Sequence, residues 1–385
     1  MSPIELLDVA RKGESTTVQF KERLPSSDSL TQEMIAFANT EGGCIVFGIN
    51  DKSGEIVGLE YVEIQRINQE LAHCASQKIF PPITISTETV SSNDRVVVIA
   101  TIKEGQHKPY KDKNGSIFMK NGADKRKVTS NEEISRLLQS SKILYADEMT
   151  VQGTSFDDID FDYYKKFIER KFNRSWEDMH VDGEKSLESQ YAMSEGKLTV
   201  AGLLLFSHRR HTLRPLFSIQ CVAVDTIDIV SGTFTDNEPA FEGTIAEVFE
   251  QTLKFIGRNI HKIPTGESFN SQAQWEVPYQ VFEELIVNAL IHRDYFINST
   301  IKIFIFPDRI EIISPGKLPN SLTVEKMKSG ISIPRNPILQ SLAQYVLPYK
   351  GLGTGVVRAL SYYPAIEFIN ETELDRFKTI IHRRK

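Results

Sequence analysis

The 385-residue chain has little cysteine and no long apolar run, and it carries no excess of positive charge. Each scarcity excludes something. Cys44, Cys74 and Cys221 are odd in number, widely spaced and set in apolar surroundings. They make neither a disulfide framework nor a zinc-binding spacing, so reduced structural thiols in a cytoplasmic protein are the expectation. No apolar stretch approaches the length that spans a bilayer, and no membrane partner is expected. The opening MSPIELLDVARKGEST lacks the basic, then apolar, then small-residue order of a secretory signal. A net charge of −6 argues against a surface that coats nucleic acid wholesale, although it can hide local patches. No internal repeat and no low-complexity segment is visible.

What is present is the composition of a globular protein, 40% hydrophobic and 25% charged. The length exceeds one ordinary core, so two or three domains are expected. Residues 1–145 read as a mixed α/β unit. A helical stretch at Ser29–Ala38 precedes the strand-like GCIVFGIN, RINQELAHCAS is helical, and PITISTETV and RVVVIATI alternate as strands. SIFMKNG is another strand, and SNEEISRLLQS starts a capped helix. The Asp-, Gly-, Ser- and Thr-rich stretch from Asp147 to Asp162 is the linker candidate. It opens a middle α/β section over 146–240, in which the basic cluster His208–His211 reads as a solvated turn. From 241 to 385 an amphipathic helix, IAEVFEQTLKFIGRNI, leads to FEELIVNALIHRDYF. The strands STIKIFIF and RIEIIS and a closing hairpin follow.

FEELIVNALIHRDYF does not fit a simple buried helix. Apolar residues surround most of its circumference, yet Glu284, Asn288 and His292 fall at i, i+4 and i+8. At about 100° per residue they share an arc of roughly 80°. A carboxylate and an amide one turn apart can aim at one point; the amide oxygen suits Mg²⁺ and the carboxylate can polarise a water. His292 reads as a partner for the negative helix end, and Arg293 with Asp294 as a local ion pair. Two further features lie downstream. Ser314-Pro315-Gly316 is a sharp turn where backbone can approach a ligand. Gly351-Leu352-Gly353-Thr354-Gly355 opens into the helical VVRALS, offering N–H donors and a favourable dipole to phosphate oxygens.

Taken together, Glu284, Asn288, Ala289, Leu290, His292, Arg293, Asp294, Tyr295, Asp308, Arg309, Ser314–Gly316, Arg335, Asn336, Pro337 and the Gly351–Gly355 loop resemble a known pattern. It is that of the GHKL ATPases, in the divergent branch often labelled RecG-like. The resemblance implies a Bergerat-type α/β sandwich that binds ATP with Mg²⁺. Asn288 would hold the metal, Glu284 would orient a hydrolytic water, and Gly351, Gly353, Thr354 and Gly355 would form a phosphate lid. Ser314 and Gly316 would stand at the base. Ser314 replaces the Asp that better-studied members place on the adenine amino group, and a hydroxyl lacks the charge-assisted strength of a carboxylate.

The N-terminal part carries Gly13-Glu14-Ser15 and Val18-Gln19-Phe20-Lys21, then Phe37-Ala38-Asn39-Thr40-Glu41-Gly42-Gly43 and Gly48-Ile49-Asn50-Asp51. These motifs resemble the Schlafen AlbA-type domain. Some Schlafen proteins cut RNA with a metal held by two glutamates and an aspartate, and the corresponding positions are Glu14, Gln19 and Asp51. The neutral Gln19 removes one charge from such a site, so Glu14 and Asp51 are the remaining candidate ligands. Separately, the segment Lys103–Lys127 is basic, with His107, Tyr110 and Phe118 interleaved. Lys108, Lys111, Lys113, Lys120, Lys125 and Arg126, with Lys21 and Gln19, read as contacts to DNA or RNA. The other reading of that segment is a lysine-rich hairpin edge that discourages aggregation.

The fold class expected is therefore α/β in the α+β sense: a Schlafen-like domain, a middle section and a GHKL-like domain. The expected function is a nucleotide-gated nucleic-acid-binding protein, acting in transcription regulation or antiphage defence. A metal-dependent Schlafen-type nuclease under the same control and a non-catalytic scaffold are the alternatives, and ATP hydrolysis is left open. Because GHKL proteins often dimerise on ATP, the resemblance also implies a homo-oligomer.

Overall fold

An apolar run uninterrupted by polar residues needs cover on both faces, and Arg95–Lys103 (RVVVIATIK) contains one, Val96–Ala100. In the computed structural model, which describes residues 1–92, 95–141, 144–230, 232–264, 273–319 and 322–383, this strand receives that cover. The chain divides into two units, Met1–Leu144 and Tyr145–Lys385. Both mix helices with sheet, giving an α+β fold.

The first unit contains α1 (Pro3–Lys12), β1 (Val18–Lys21), α2 (Ser27–Asn39), β2 (Gly42–Phe47), α3 (Tyr61–His73), β3 (Ile85–Ser92) and β4 (Arg95–Lys103). Its sheet has the order β1-β2-β4-β3, with β1 and β2 parallel and the other pairs antiparallel. Val98, Ala100 and Ile102 of β4 pack towards α2 and α3, among Met34, Phe37 and Leu71. Val97 and Ile99 point the other way, towards Leu6 of α1 and Phe20. The passage from α2 into β2 requires glycine: a Cβ on Gly43 would lie 2.5 Å from the Thr17 carbonyl oxygen and from the Phe37 ring. A separate hairpin follows, β5 (Phe118–Asn121) and β6 (Asp124–Lys127), and then α4 (Asn131–Ser140). Buried Asn39 anchors the loop before this hairpin. Its Nδ2 donates to the carbonyls of Tyr110 (2.9 Å) and Phe118 (3.0 Å), and its Oδ1 accepts from the Tyr110 N–H (2.7 Å).

The second unit contains α5 (Phe161–Phe172), α6 (Val200–Phe206), β7 (Ile219–Val224), β8 (Phe234–Glu238), α7 (Ile245–Asn259), α8 (Tyr279–His292), β9 (Ile301–Ile305), β10 (Arg309–Pro315), α9 (Pro337–Ala343), α10 (Gly355–Tyr362), β11 (Ile366–Glu371) and β12 (Arg376–His382). Its six-stranded sheet has the order β8-β7-β9-β10-β12-β11; only β7 and β9 run parallel. One hydrophobic core runs from Ala146 to Ile381. It joins α5 and α6 of the middle section to α7, α8 and the sheet. Thr199 caps α6, and all seven residues of that helix are buried.

Two expectations change here. The Asp147–Asp162 stretch is stitched into the second unit. Val151 is buried and its N–H donates to the Leu198 carbonyl (2.8 Å), while the Thr154 hydroxyl accepts from the Leu198 N–H (2.9 Å). Second, the His208–His211 turn is solvated only in part: His208 and Arg209 are exposed, Arg210 is not. Arg210 is 1% exposed, and its guanidinium donates to the carbonyls of Gly243 (2.9 Å), Phe217 (2.7 Å) and Phe241 (2.6 Å). The Phe241 carbonyl also accepts from the Ser218 hydroxyl (2.8 Å). His208 lies between Asp160 (3.1 Å) and Glu247 (3.3 Å), and Arg209 pairs with Asp158.

Asp147 is fully buried and accepts the Leu339 N–H at 2.8 Å, at the first turn of α9. Burial pushes its carboxyl up from 3.8 to about 6, opposed by the Leu339 and Ile338 N–H groups. The folded state thus holds this proton more tightly than the unfolded chain does. The group's contribution is fullest below pH 4 and is lost as pH rises through about 6. At about 1.4 kcal/mol per unit, the ceiling is roughly 3 kcal/mol. Asp147→Asn keeps an acceptor for Leu339 without the charge. Its stability relative to the wild type is expected to rise between pH 4 and 7 in urea unfolding; a difference flat across that range would contradict the assignment.

Candidate functional site

Helix α8 buries Val281, Phe282, Leu285, Ile286, Val287, Ala289, Leu290 and Ile291. Its remaining stripe, Glu284, Asn288 and His292, lines a cleft. The C-terminal carbonyls of α8 are satisfied by two residues whose roles the sequence did not suggest. Asn336 Nδ2 donates to the Ile291 (2.8 Å) and Arg293 (2.9 Å) carbonyls, and Arg335 donates to those of His292 (3.3 Å) and Lys317 (2.5 Å). His292 is therefore not the cationic helix-end partner expected. Burial, with the nearby Arg335 charge, pushes its imidazole down to about 4, so it is neutral at pH 7. The expected Arg293–Asp294 pair is also corrected. The Arg293 guanidinium donates instead to the carbonyls of Leu216 (3.2 Å), Ile297 (2.9 Å) and Ser299 (2.6 Å), and it stacks over the rings of Phe217 and Tyr295.

The cleft gathers every residue assigned to the nucleotide from sequence: Glu284, Asn288, Ser314, Gly316, Gly351, Gly353, Thr354 and Gly355 all line it. It holds about 1080 Å³ of empty space, its open mouth included, which is within reach of a nucleotide-sized ligand. Its lining carries two chemistries. Ile312, Leu318, Met327, Ile331, Phe368 and Phe377 are apolar, and Ser314 and Thr379 add hydroxyls. Glu284, Asn288, Lys350 and Arg358 are polar or charged, and the glycine-rich loop lines it beside them. Ser314 lies near the end of β10, opposite Phe377 of β12. Gly316 follows at φ +97°; a Cβ there would meet Asp294 Cβ at 2.5 Å and Arg335 Nη1 at 2.7 Å.

The loop rests directly on the α8 stripe. A Cβ on Gly355 would lie 2.7 Å from Glu284 Oε2 and 3.1 Å from Asn288 Nδ2. Gly353, at φ +70°, comes equally close to the Gly330 carbonyl, 2.6 Å from its would-be Cβ. Thr354 makes no side-chain cap, so the first N–H groups of α10 are left for another acceptor. Arg358, one turn into α10, pairs with Glu284 (Nη2 to Oε1, 2.6 Å). Burial raises the Glu284 carboxyl above its ordinary value, while Arg358 and then Lys350 pull it back. Among the described residues, Asn288 Nδ2 and Arg358 Nε are both buried without a partner. Arg358 and Lys350 were missed in the sequence, although VVRALS had been placed as the helix after the loop.

In the first unit the structure separates residues that the sequence grouped. Glu14 accepts from the Phe20 N–H (2.8 Å) and from Gln19 Nε2. Gln19 Oε1 accepts from Lys120 Nζ at 2.8 Å, and Lys120 also pairs with Glu33 at 2.8 Å. Lys125 reaches the other Glu33 oxygen at 3.2 Å. The Lys120 side chain is 0% exposed, and that of Lys108 is 1% exposed, paired with Glu104. Neither offers a charge to nucleic acid at the surface, which corrects both assignments. Arg126 is exposed but pairs with Glu133, Lys21 is half-buried, and Lys111 and Lys113 are exposed. Asp51 sits in the exposed turn after β2 and takes no part in the Glu14 network. Among the described residues, no group of three or more His, Cys, Asp or Glu is arranged to hold a metal. No described helix is long and apolar enough to cross a membrane.

Each unit contains a stretch that matches a known family. Residues 14–129 match the family described as "Schlafen, AlbA_2", a span that includes Glu14, Gln19 and Lys120. Residues 298–373 match "Putative ATP-dependent DNA helicase recG C-terminal", which covers Ser314 and the glycine loop but begins after Glu284 and Asn288. The chain thus pairs a Schlafen AlbA_2 domain with a RecG-like HATPase domain. An "uncharacterized ATP-binding protein" of Ureaplasma parvum serovar 3 is 26% identical over 153 residues. That alignment covers 36% of this chain and 41% of the relative, so less than half of that protein is matched. A crystal structure of a Corynebacterium diphtheriae protein is 21% identical, with a TM-score of 0.47, over 99% of this chain and 81% of its own.

The buried placement of Lys120 has a measurable consequence. Lys120→Met removes the ammonium between Gln19 and Glu33 and is expected to cost about 3 kcal/mol in urea unfolding, the scale of a broken buried ion pair. Exposed Lys111→Gln should stay within about 0.5 kcal/mol. Equal, small effects would return Lys120 to the surface.

Proposed function

We propose that the cleft of the second unit binds ATP together with Mg²⁺, and that the nucleotide governs binding of DNA or RNA by the Schlafen-type unit. The observation that carries this is the mixed lining of one cleft. A planar base suits its apolar side chains and the hydroxyls of Ser314 and Thr379. Phosphates suit the open N–H groups of the Gly351–Gly355 loop and the Lys350 charge. The RecG-like match and the ATP-binding relative support ATP as the nucleotide.

The donor set fits Mg²⁺ as well. The Asn288 oxygen is a hard, neutral ligand, and its Nδ2 has no partner among the described residues that would have to be broken. Mg²⁺ keeps most of its shell as water and phosphate oxygens, so one protein ligand suffices. Bound there, the ion would screen the phosphate charge. Glu284 lies beside it and pairs with Arg358; nucleotide sites can act as switches, and this reading takes the cleft as one.

For the first unit, nucleic-acid binding without cleavage is the better-supported reading. Lys120 fills the interior beside Gln19 with a built-in cation, and Glu14 is committed to a backbone N–H and to Gln19. Lys111, Lys113 and Lys127 remain as exposed charges for phosphate contact. Transcription regulation or antiphage defence are the settings in which such a gated binder would act.

A thermal-shift panel tests the reading. ATP with Mg²⁺ at 100 times its Kd should stabilise the second unit by about 2.7 kcal/mol, and Asn288→Ala should remove most of that gain. If no nucleotide raises the melting temperature, the proposal fails. Anisotropy of a labelled oligonucleotide should then weaken as salt rises and change when ATP is added.

A further inference from the structure

Arg358 is held by an incomplete contact. Its Nη2 meets one oxygen of Glu284 at 2.6 Å, while its Nε, buried, has no partner among the described residues. The second Glu284 oxygen faces Gly355, at the start of the same helix. A guanidinium in this state is half-satisfied: a planar fork that could bind two oxygens holds one. A phosphate group offers three oxygens and about two charges, and Arg pairs with it through two parallel N–H bonds. Arg358 lines the cleft, one turn beyond the N-terminus of α10.

We infer that Arg358 is the sensor of the nucleotide's terminal phosphate, exchanging the Glu284 carboxylate for it. This rests on the nucleotide reading above and adds which phosphate matters and how its presence is transmitted. The exchange satisfies the orphan Nε and releases Glu284 from its only cationic clamp on α10. The link between α8 and α10 therefore differs between the triphosphate-bound and the diphosphate-bound protein. Lys350 also faces Glu284 but is exposed, so it can attract any phosphate without telling two from three. Arg335, the other guanidinium in the cleft lining, is committed to the carbonyls of His292 and Lys317.

The test is isothermal titration of the full chain, in Mg²⁺, with ADP and with a non-hydrolysable ATP analogue. Wild type should prefer the triphosphate by about tenfold or more, the scale of one charge-assisted pair. Arg358→Gln should bring that ratio close to one while ADP affinity changes far less, and its ADP binding reports that the variant is folded. Glu284→Gln, which frees Arg358 from its clamp, should raise the ratio. An unchanged ratio in Arg358→Gln, or a lowered one in Glu284→Gln, overturns the inference and leaves the nucleotide reading standing. Wild type that binds neither nucleotide overturns both.

Discussion

The burial of α8 sets most of what the second unit can do. Eight of its fourteen residues are buried in the core, so its polar stripe has one place to go, a cleft between α8, β10 and the glycine loop. The same burial leaves its C-terminal carbonyls without water. Asn336 and Arg335 supply the missing donors from a segment more than forty residues away in sequence. That draws residues 335–337 against the Ser314–Gly316 turn. Gly316 must then be glycine, because a Cβ would strike both Arg335 and Asp294. Motifs scattered over seventy residues become one site because one helix end needs satisfying.

The two units answer the same electrostatic problem differently. Each places a carboxylate away from solvent, where a charge is costly unless it is paired. In the first unit the answer is closed. Glu33 is shared by Lys120 and Lys125, and the Lys120 ammonium also reaches Gln19 and the Ala123 carbonyl, so its three protons have acceptors. In the second unit the answer is open. Glu284 has Arg358, but the pairing leaves Nε without an acceptor, and both groups border a cleft. Completed networks hold structure together, whereas an unfinished one at a cleft is available for exchange.

Periodicity made the elements legible. The α8 stripe, the alternation in β3, the apolar run of β4, the β9–β10 pair and the closing β11–β12 hairpin all follow from the hydrophobic pattern. The cleft residues Glu284, Asn288, Ser314 and Gly351–Gly355 were legible as a group because glycine spacing and a carboxylate–amide stripe carry their own chemistry. What stayed hidden depended on partners distant in sequence. Nothing in HRRH shows that Arg210 will meet three carbonyls, since those belong to Phe217, Phe241 and Gly243. Lys108 and Lys120 stand in a lysine-rich segment, where local composition suggests solvent; only the packing of the β5–β6 hairpin against α2 turns Lys120 inward. Asp147 looks like a linker residue until α9, nearly two hundred residues later, presents an N–H to it.

Gln19 shows how such a partner changes the meaning of a residue. Set beside a metal-binding pattern, it is a carboxylate position that has lost its charge. In the structure its amide works in both directions, donating to Glu14 and accepting from Lys120. A carboxylate accepts only, so Glu at this position would set two like charges in hydrogen-bond contact with no proton between them. Gln19 joins an anion to a cation that neither charged alternative could bridge. The first unit therefore uses an amide at this point because its cation is covalently attached, on Lys120.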